Sequence, residues 1–432
     1  MSSTNRFGEL AEASWAWVLG QVRYDDGPWI PASVPAPEDK PTWDRDGMHS
    51  GIGGLALVLA EIRLARPWTD AEAELAAAIA DRVTRQIPTT TDPAYFDGLV
   101  SIIGTLTALE APGADLAVAR LTELTTDDGW PQTIIGAPRY VDGGVVNDLT
   151  LGTAGVLLGA VWAARLGVAG ARDLACIAAD LLVPEADDLP DGLDWPFLPV
   201  RYLIEPPDVR MPNFSHGTAG IATALALAGL DLGRPDLVEA AARGASYLGT
   251  LGDRSDGGFI LPRRLPVKEG EDEFTFTWCH GPTGTSTLYP ALAAAGVTNV
   301  LGESVANWRS RCLTSVRASG IPERRYPGFW DNDGRCCGTA GVADVMFDAG
   351  EIEFGLSLCQ TLVERAVTTD NGAYWQFIEH KNDDPLLPPG VGWMQGTAGI
   401  AAVLFRGARL AEDPTAPPLR RLDNFWCVDA SN

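Results

Sequence analysis

The sequence predicts an all-α fold, an α/α toroid of about seven helical hairpins forming one domain over residues 1–432. Three observations carry this reading. A four-residue glycine motif recurs along the whole chain: GIGG at Gly51, GTAG at Gly152, Gly217, Gly338 and Gly396, and GPTG at Gly281. A worn copy, Gly98-Leu-Val-Ser101, fills the first gap, so that successive spacings are 47, 54, 65, 64, 57 and 58 residues; near-regular self-similarity is the mark of stacked helical units. Each copy opens an Ala/Leu-rich run that is apolar nearly all round, as in a helix buried on every side, and an amphipathic segment follows it.

In chain order, residues 7–24 form an amphipathic segment, expected to serve as the outer partner of the last inner helix because the tail beyond Leu410 turns Pro-rich. The run after Gly51 is the first inner helix, and residues 70–85 are its outer partner, with Asp70 as N-cap. Inner helices follow at 156–162 and 221–228, and residues 237–251 alternate charged and apolar faces as an outer helix does. Glycines three apart share a helix face and carry no Cβ, so they are expected to let neighbouring helix starts approach closely and to leave helix N-terminal N–H groups open. The loops before the motifs (28–43, 184–213, 253–277, 320–335 and 371–393) are long and rich in Pro, Trp and Asp. They all lead into inner helices at one end, where loops over a rigid scaffold form a binding surface.

Composition narrows the function. Asp+Glu 57 against Lys+Arg 32 gives a net charge of −25, which repels phosphate backbones and anionic membranes and excludes nucleic acid as a partner. Apolar stretches are interrupted before the roughly 18 residues of a spanning helix, so no membrane insertion is expected. Seven irregularly spaced cysteines and an N-terminus without a secretory pattern point to a reducing cytoplasm.

The residue directly before the first glycine varies from copy to copy: Ser50, Asp97, Leu151, His216, His280, Cys337 and Gln395. Two lead-ins carry cysteines, Trp278-Cys279-His280-Gly281 and Arg335-Cys336-Cys337-Gly338. In a toroid these neighbouring lead-ins bring three thiolates together, a zinc site with three protein ligands and one open position. Cys176, Cys312, Cys359 and Cys427 are read as ordinary cysteines of helices and tail. His216 suits proton transfer near neutral pH, with a carboxylate to orient it: Asp148, four residues before Gly152, with Asp97 and Asp142 as alternatives. His49 is read as a polar rim residue, His280 as a supporting neighbour or alternative ligand, and His380 as a solvated loop residue.

With these residues the chain resembles the lanthionine synthetase C-like cyclase family over nearly its whole length. The resemblance rests on the GxxG frame, the Trp278–Gly281 and Cys336–Gly338 segments, His216-Gly217 and the Asp148 spacing. It implies one Zn²⁺ per chain held by Cys279, Cys336 and Cys337, with His216 transferring a proton and Asp148 as its acidic partner. The implied reaction adds a cysteine thiol of a ribosomally made, dehydrated precursor peptide to dehydroalanine or dehydrobutyrine, forming lanthionine or methyllanthionine. Two positions depart from the family: Cys337 stands where Cys-His-Gly is usual, and Thr275 stands where some stand-alone cyclases have Arg. No segment resembles a P-loop or a kinase motif, so dehydration is expected from a separate dehydratase partner. Alternative readings are addition of glutathione or another small thiol to dehydroamino acids, a non-catalytic leader-peptide-binding scaffold, and a glycosidase using opposed carboxylates and an aromatic cleft drawn from the 14 Trp.

Overall fold

The computed structural model describes residues 3–35, 45–205, 209–323, 332–378 and 384–425, so His380 and Cys427 lie outside the described residues. Helices dominate, as the glycine-led apolar runs require. They are α1 (Ser3–Leu19), α2 (Gly53–Ala65), α3 (Asp70–Gln86), α4 (Leu99–Ala108), α5 (Ala114–Glu123), α6 (Thr153–Arg165), α7 (Ala171–Leu182) and α8 (Thr218–Leu232). The series continues with α9 (Pro235–Leu251), α10 (Pro282–Thr285), α11 (Leu288–Ala294), α12 (Val305–Ala318), α13 (Thr339–Asp348), α14 (Ile352–Arg365) and α15 (Thr397–Glu412).

The chain groups into two compact units, one of residues 1–87, 104–113 and 320–423, the other of residues 88–103, 114–319 and 424–432. In the first unit α15 packs against α1, α2 and α14, and α13 against α14. The N-terminal helix is therefore the outer partner of the last inner helix, as its amphipathic pattern suggests. In the second unit α6 packs on α7, α8 on α9 and α11 on α12, while the inner helices α6, α8 and α11 follow one another. Inner helices are buried all round, through residues 153–163 of α6 and 218–229 of α8. Outer helices bury one stripe, Leu237, Ala240, Ala241, Gly244, Ala245 and Leu248 in α9. Among the described residues no helix is long and apolar enough to cross a membrane.

Three local expectations are corrected. The N-cap of α3 is Thr69, not Asp70: the Thr69 hydroxyl accepts from Glu72 N–H, and the Glu72 carboxylate accepts from Thr69 N–H at 2.7 Å, closing a capping box. The helix N-terminal N–H groups are not open. Thr153, Ala154, Thr339 and Ala340 donate to the carbonyls of Val146, Asn147, Asn332 and Asp333, each seven residues upstream, at 2.9–3.2 Å. The glycines serve this folded-back lead-in more than the neighbouring helix. A Cβ on Gly220, Gly284 or Gly341 would lie 2.0, 1.9 or 1.8 Å from the carbonyl oxygen of Phe214, Trp278 or Arg335, six residues before each. Gly220→Ala should accordingly destabilise the protein by about 1–3 kcal/mol through forced displacement of the lead-in, read as a lowered thermal midpoint.

The fifth inner helix is interrupted at Ser286 and Thr287, between α10 and α11. Pro290 has no N–H to return to the carbonyl four residues back, and the Ser286 and Thr287 hydroxyls donate to the Thr283 and Gly284 carbonyls at 2.7 Å. Short antiparallel hairpins, β1 (Asp187–Leu189) with β2 (Gly192–Asp194), β3 (Asn299–Val300) with β4 (Glu303–Ser304), β5 (Val367–Thr369) with β6 (Gly372–Tyr374) and β7 (Phe377–Ile378) with β8 (Leu386–Leu387), lie in the connections between helices. Beside three helix ends a tryptophan caps an orphan carbonyl: the indoles of Trp130, Trp195 and Trp375 donate to Leu121, Leu182 and Leu362 at 2.8, 3.0 and 2.8 Å. These three buried rings stabilise helix ends and offer no surface to a ligand.

Candidate active site

Consecutive lead-ins are tied by a backbone ladder near the first glycine. In the second unit Tyr95 N–H donates to Thr150 O, Thr150 N–H to Ser215 O and Ser215 N–H to Cys279 O, at 2.9, 3.2 and 3.0 Å. In the first unit Cys336 N–H donates to Met394 O at 2.8 Å and Met394 N–H to His49 O at 3.0 Å. Residues one and two places before each first glycine are thus presented from fixed backbone, and these positions carry the chemistry.

Of the three aspartates left open by the sequence, Asp148 meets His216: its Oδ2 lies 2.5 Å from His216 Nδ1. The carboxylate is fully buried and its geometry is overdetermined. Leu151 N–H donates to Oδ1 at 2.7 Å, and the Thr150 hydroxyl donates to Oδ2 at 2.9 Å while standing 2.8 Å from His216 Nδ1. Burial pulls the His216 pKa down, but the hydrogen bond and charge of Asp148 and the charge of Cys279 outweigh it, and the net shift is upward. The ring remains 30% exposed, so its far edge can meet a substrate. Asp142 instead accepts from Ala137 N–H at 3.1 Å in its own turn.

The Sγ atoms of Cys279, Cys336 and Cys337 all lie within 4.8 Å of one another. None of the three is in a disulfide; Cys279 is buried and the other two are half-buried, with 3.4 Å between the sulfurs of Cys336 and Cys337. Four ligands about 2.3 Å from zinc in a tetrahedron stand about 3.8 Å apart, so the thiol group fits that metal with small adjustment. The Thr277 hydroxyl lies 3.4 Å from Cys279 Sγ and adds a polar partner to the sulfur.

His280 belongs to the His216 side of the site. Its ring is 5.5 Å from that of His216 at 30°, its Nδ1 is buried without a hydrogen bond, and burial lowers its pKa. Thr275 is buried with its hydroxyl unpaired and supplies no charge where a cation was missing. His49 turns its Nδ1 to Ser50 Oγ at 2.8 Å, in the first unit. Thr150 was missed by the sequence reading, although aligning the copies one place further upstream puts it level with Ser215, Cys279 and Cys336.

Behind the vicinal cysteines the first unit buries a charge network. Arg335 donates to Asp344 at 2.6 Å and lies over the Trp393 ring at 4.1 Å, while Arg406 and Arg421 reach the same carboxylate at 2.7 and 3.0 Å. Burial works against the Asp344 carboxylate, but the three guanidinium charges hold it well below the usual carboxylate range. A depressed pKa contributes stability at neutral pH that is lost only as pH falls through the folded value. Asp344→Asn should cost about 3–5 kcal/mol, because it strands buried cations; thermal unfolding at pH 7 measures it.

A helical-hairpin protein with a cluster of three thiols and a separate His–Asp pair is thereby defined. The family model described as lanthionine synthetase C-like protein matches residues 42–413, and the chain belongs to that family. Nisin cyclase is similar in fold, with a TM-score of 0.54 and 14% identity, covering 85% of this chain and 89% of its own. That likeness places the all-α chain in the α/α-toroid fold class. A Listeria innocua protein matches with TM-score 0.49, 12% identity and coverage of 94% and 98%, and an unsaturated glucuronyl hydrolase from a Bacillus species with 0.45, 11% and full coverage of both chains. No curated protein sequence matches the chain.

Proposed function

We propose that the protein is a zinc-dependent lanthipeptide cyclase, acting as one catalytic domain in the cytoplasm on a precursor peptide dehydrated by a separate enzyme. The observation that supports this most is the gathering of the Cys279, Cys336 and Cys337 sulfurs within 4.8 Å. These three residues would hold one Zn²⁺, which when bound supplies the Lewis acidity that keeps a substrate thiol ionised near neutral pH.

The reaction forms a bond between the peptide cysteine Sγ and the dehydroamino acid Cβ, opens the Cα=Cβ bond and places a proton on Cα, with no oxidation. His216 is the proton carrier. Asp148 and Thr150 engage its Nδ1, which fixes the ring and leaves Nε2 to exchange the proton. Asp148 also stabilises the charged imidazolium between transfers. The family assignment, with a cyclase as a fold relative, favours this reading over a binding scaffold.

The test uses zinc-loaded protein and a synthetic peptide carrying one cysteine and one dehydroalanine. Ring closure removes an alkylatable thiol without changing peptide mass. Loss of that thiol only in the presence of zinc-loaded protein supports the cyclase. A thiol that persists, with added glutathione taken up in its place, would shift the activity to intermolecular addition, and no reaction with either thiol would leave the scaffold.

A further inference from the structure

The first unit contains a cleft of about 360 Å³ whose lining includes His49, Ser50, Phe377, Leu387 and Gln395. We infer that this cleft is a subsite for an uncharged, apolar residue flanking the reacting cysteine of the peptide. The inference rests on the cyclase reading and adds to it where the neighbouring residue of the substrate is read.

The cleft is built, not incidental. Residues on either side of one wall are paired: Val34 N–H donates to Pro389 O at 3.0 Å and Val391 N–H to Ala32 O at 3.1 Å. At the floor Gly392 lies so close to Ser50 that a Cβ would stand 2.7 Å from the Ser50 Cα. The missing Cβ lets the Gly392 backbone pack directly against that of Ser50, which fixes these two lining segments to one another. A volume within the range of small-ligand sites, roughly 300–1,000 Å³, accommodates one or two side chains.

The lining sorts into two chemistries. Phe377, Leu387 and Pro388 offer apolar surface, and among the described lining residues none is Asp, Glu, Lys or Arg and the ionisable one is His49, in a chain of net charge −25. The lining also includes the exposed Gln395, whose side chain makes no hydrogen bond with the described residues. A primary amide carries a donor and an acceptor side by side, which matches a peptide group. One apolar side chain plus one peptide bond is the signature of a residue within a polypeptide.

Register links the cleft to the thiols. Gln395 and Ser50 stand directly before Gly396 and Gly51, the place that Cys337 takes before Gly338. Cys336 N–H donates to Met394 O at 2.8 Å, so the Gln395 lead-in is the hydrogen-bonded neighbour of the cysteine lead-in. Backbones joined in this way run about 5 Å apart, and an extended peptide advances about 3.3–3.6 Å per residue. A cysteine held at Cys336 and Cys337 thus delivers its next or next-but-one residue to the cleft.

Two synthetic peptides test this, each with one cysteine and one dehydroalanine, differing by Leu or Asp beside the cysteine. The wild-type protein should close the Leu peptide with kcat/KM about tenfold or more above the Asp peptide, the least expected from burying one Leu side chain. Gln395→Trp fills the cleft from an exposed position, and Phe377→Asp charges it. Both should keep zinc, and the Leu-over-Asp ratio should fall to about one in the first and below one in the second. Equal rates on both peptides, or a Leu preference that survives both substitutions, overturn the subsite while leaving the cyclase standing. No ring with either peptide from zinc-loaded protein overturns both.

Discussion

Replacing Cys336 and Cys337 together by alanine is expected to yield folded protein that carries no zinc and forms no ring. Both side chains are half-buried and stand outside the apolar core. The backbone bond from Cys336 N–H to Met394 O does not depend on the side chain, and the Arg335 anchor to Asp344 is untouched. Thermal stability should therefore change little. Metal affinity should fall by far more than the roughly 10–100-fold typical of removing an outer partner of a metal ligand, because Cys279 alone remains. Cys337→His is the informative companion: imidazole replaces thiolate as a zinc ligand, so metal should persist with one negative charge fewer around it. Elemental analysis of the three proteins decides the matter. Zinc retained by the double alanine variant would remove the three-thiol site.

What the sequence made legible follows from how few ways some residues can be used. Most inner helices were visible because they start where a folded-back lead-in presses a carbonyl oxygen to about 2 Å from the missing Cβ, as at Gly220 and Gly284, a place that favours glycine. The cysteines and His216 stood out because they occupy one or two fixed places before those glycines. The capping box at Thr69 and Glu72 was also written in the chain, and reading Asp70 as the cap overlooked the reciprocal Glu. The two- and three-residue strands of the hairpins carry no alternation to detect, being shorter than the 4–8 residues such a pattern needs. The buried charge network escaped for a different reason. Glu61, Asp344 and Arg406 sit within predominantly apolar helices, and their partners come from the lead-in just before Asp344 (Arg335) and from the tail (Arg421 and Asp423). Only the folded chain shows that these charges neutralise one another.

His216→Asn is expected to keep zinc and lose ring formation by about 10²–10⁴-fold, the usual worth of a positioned proton carrier. Asparagine fills part of the imidazole volume but cannot carry a proton between solvent and Cα. Asp148 keeps its bonds from Leu151 N–H and the Thr150 hydroxyl, so the buried carboxylate is not stranded and the fold should persist. Asp148→Asn separates positioning from proton transfer. The raised pKa of His216 depends on Asp148, and activity that needs protonated His216 is present below that pKa and lost as pH rises through it. Removing the Asp148 charge should move the alkaline loss of kcat toward lower pH, with zinc content unchanged. A purely structural role for Asp148 would lower the amount of active enzyme without moving that limb. An unchanged rate in His216→Asn would take the proton carrier out of the mechanism and turn attention to His280, whose ring lies 5.5 Å away with an unpaired, buried Nδ1.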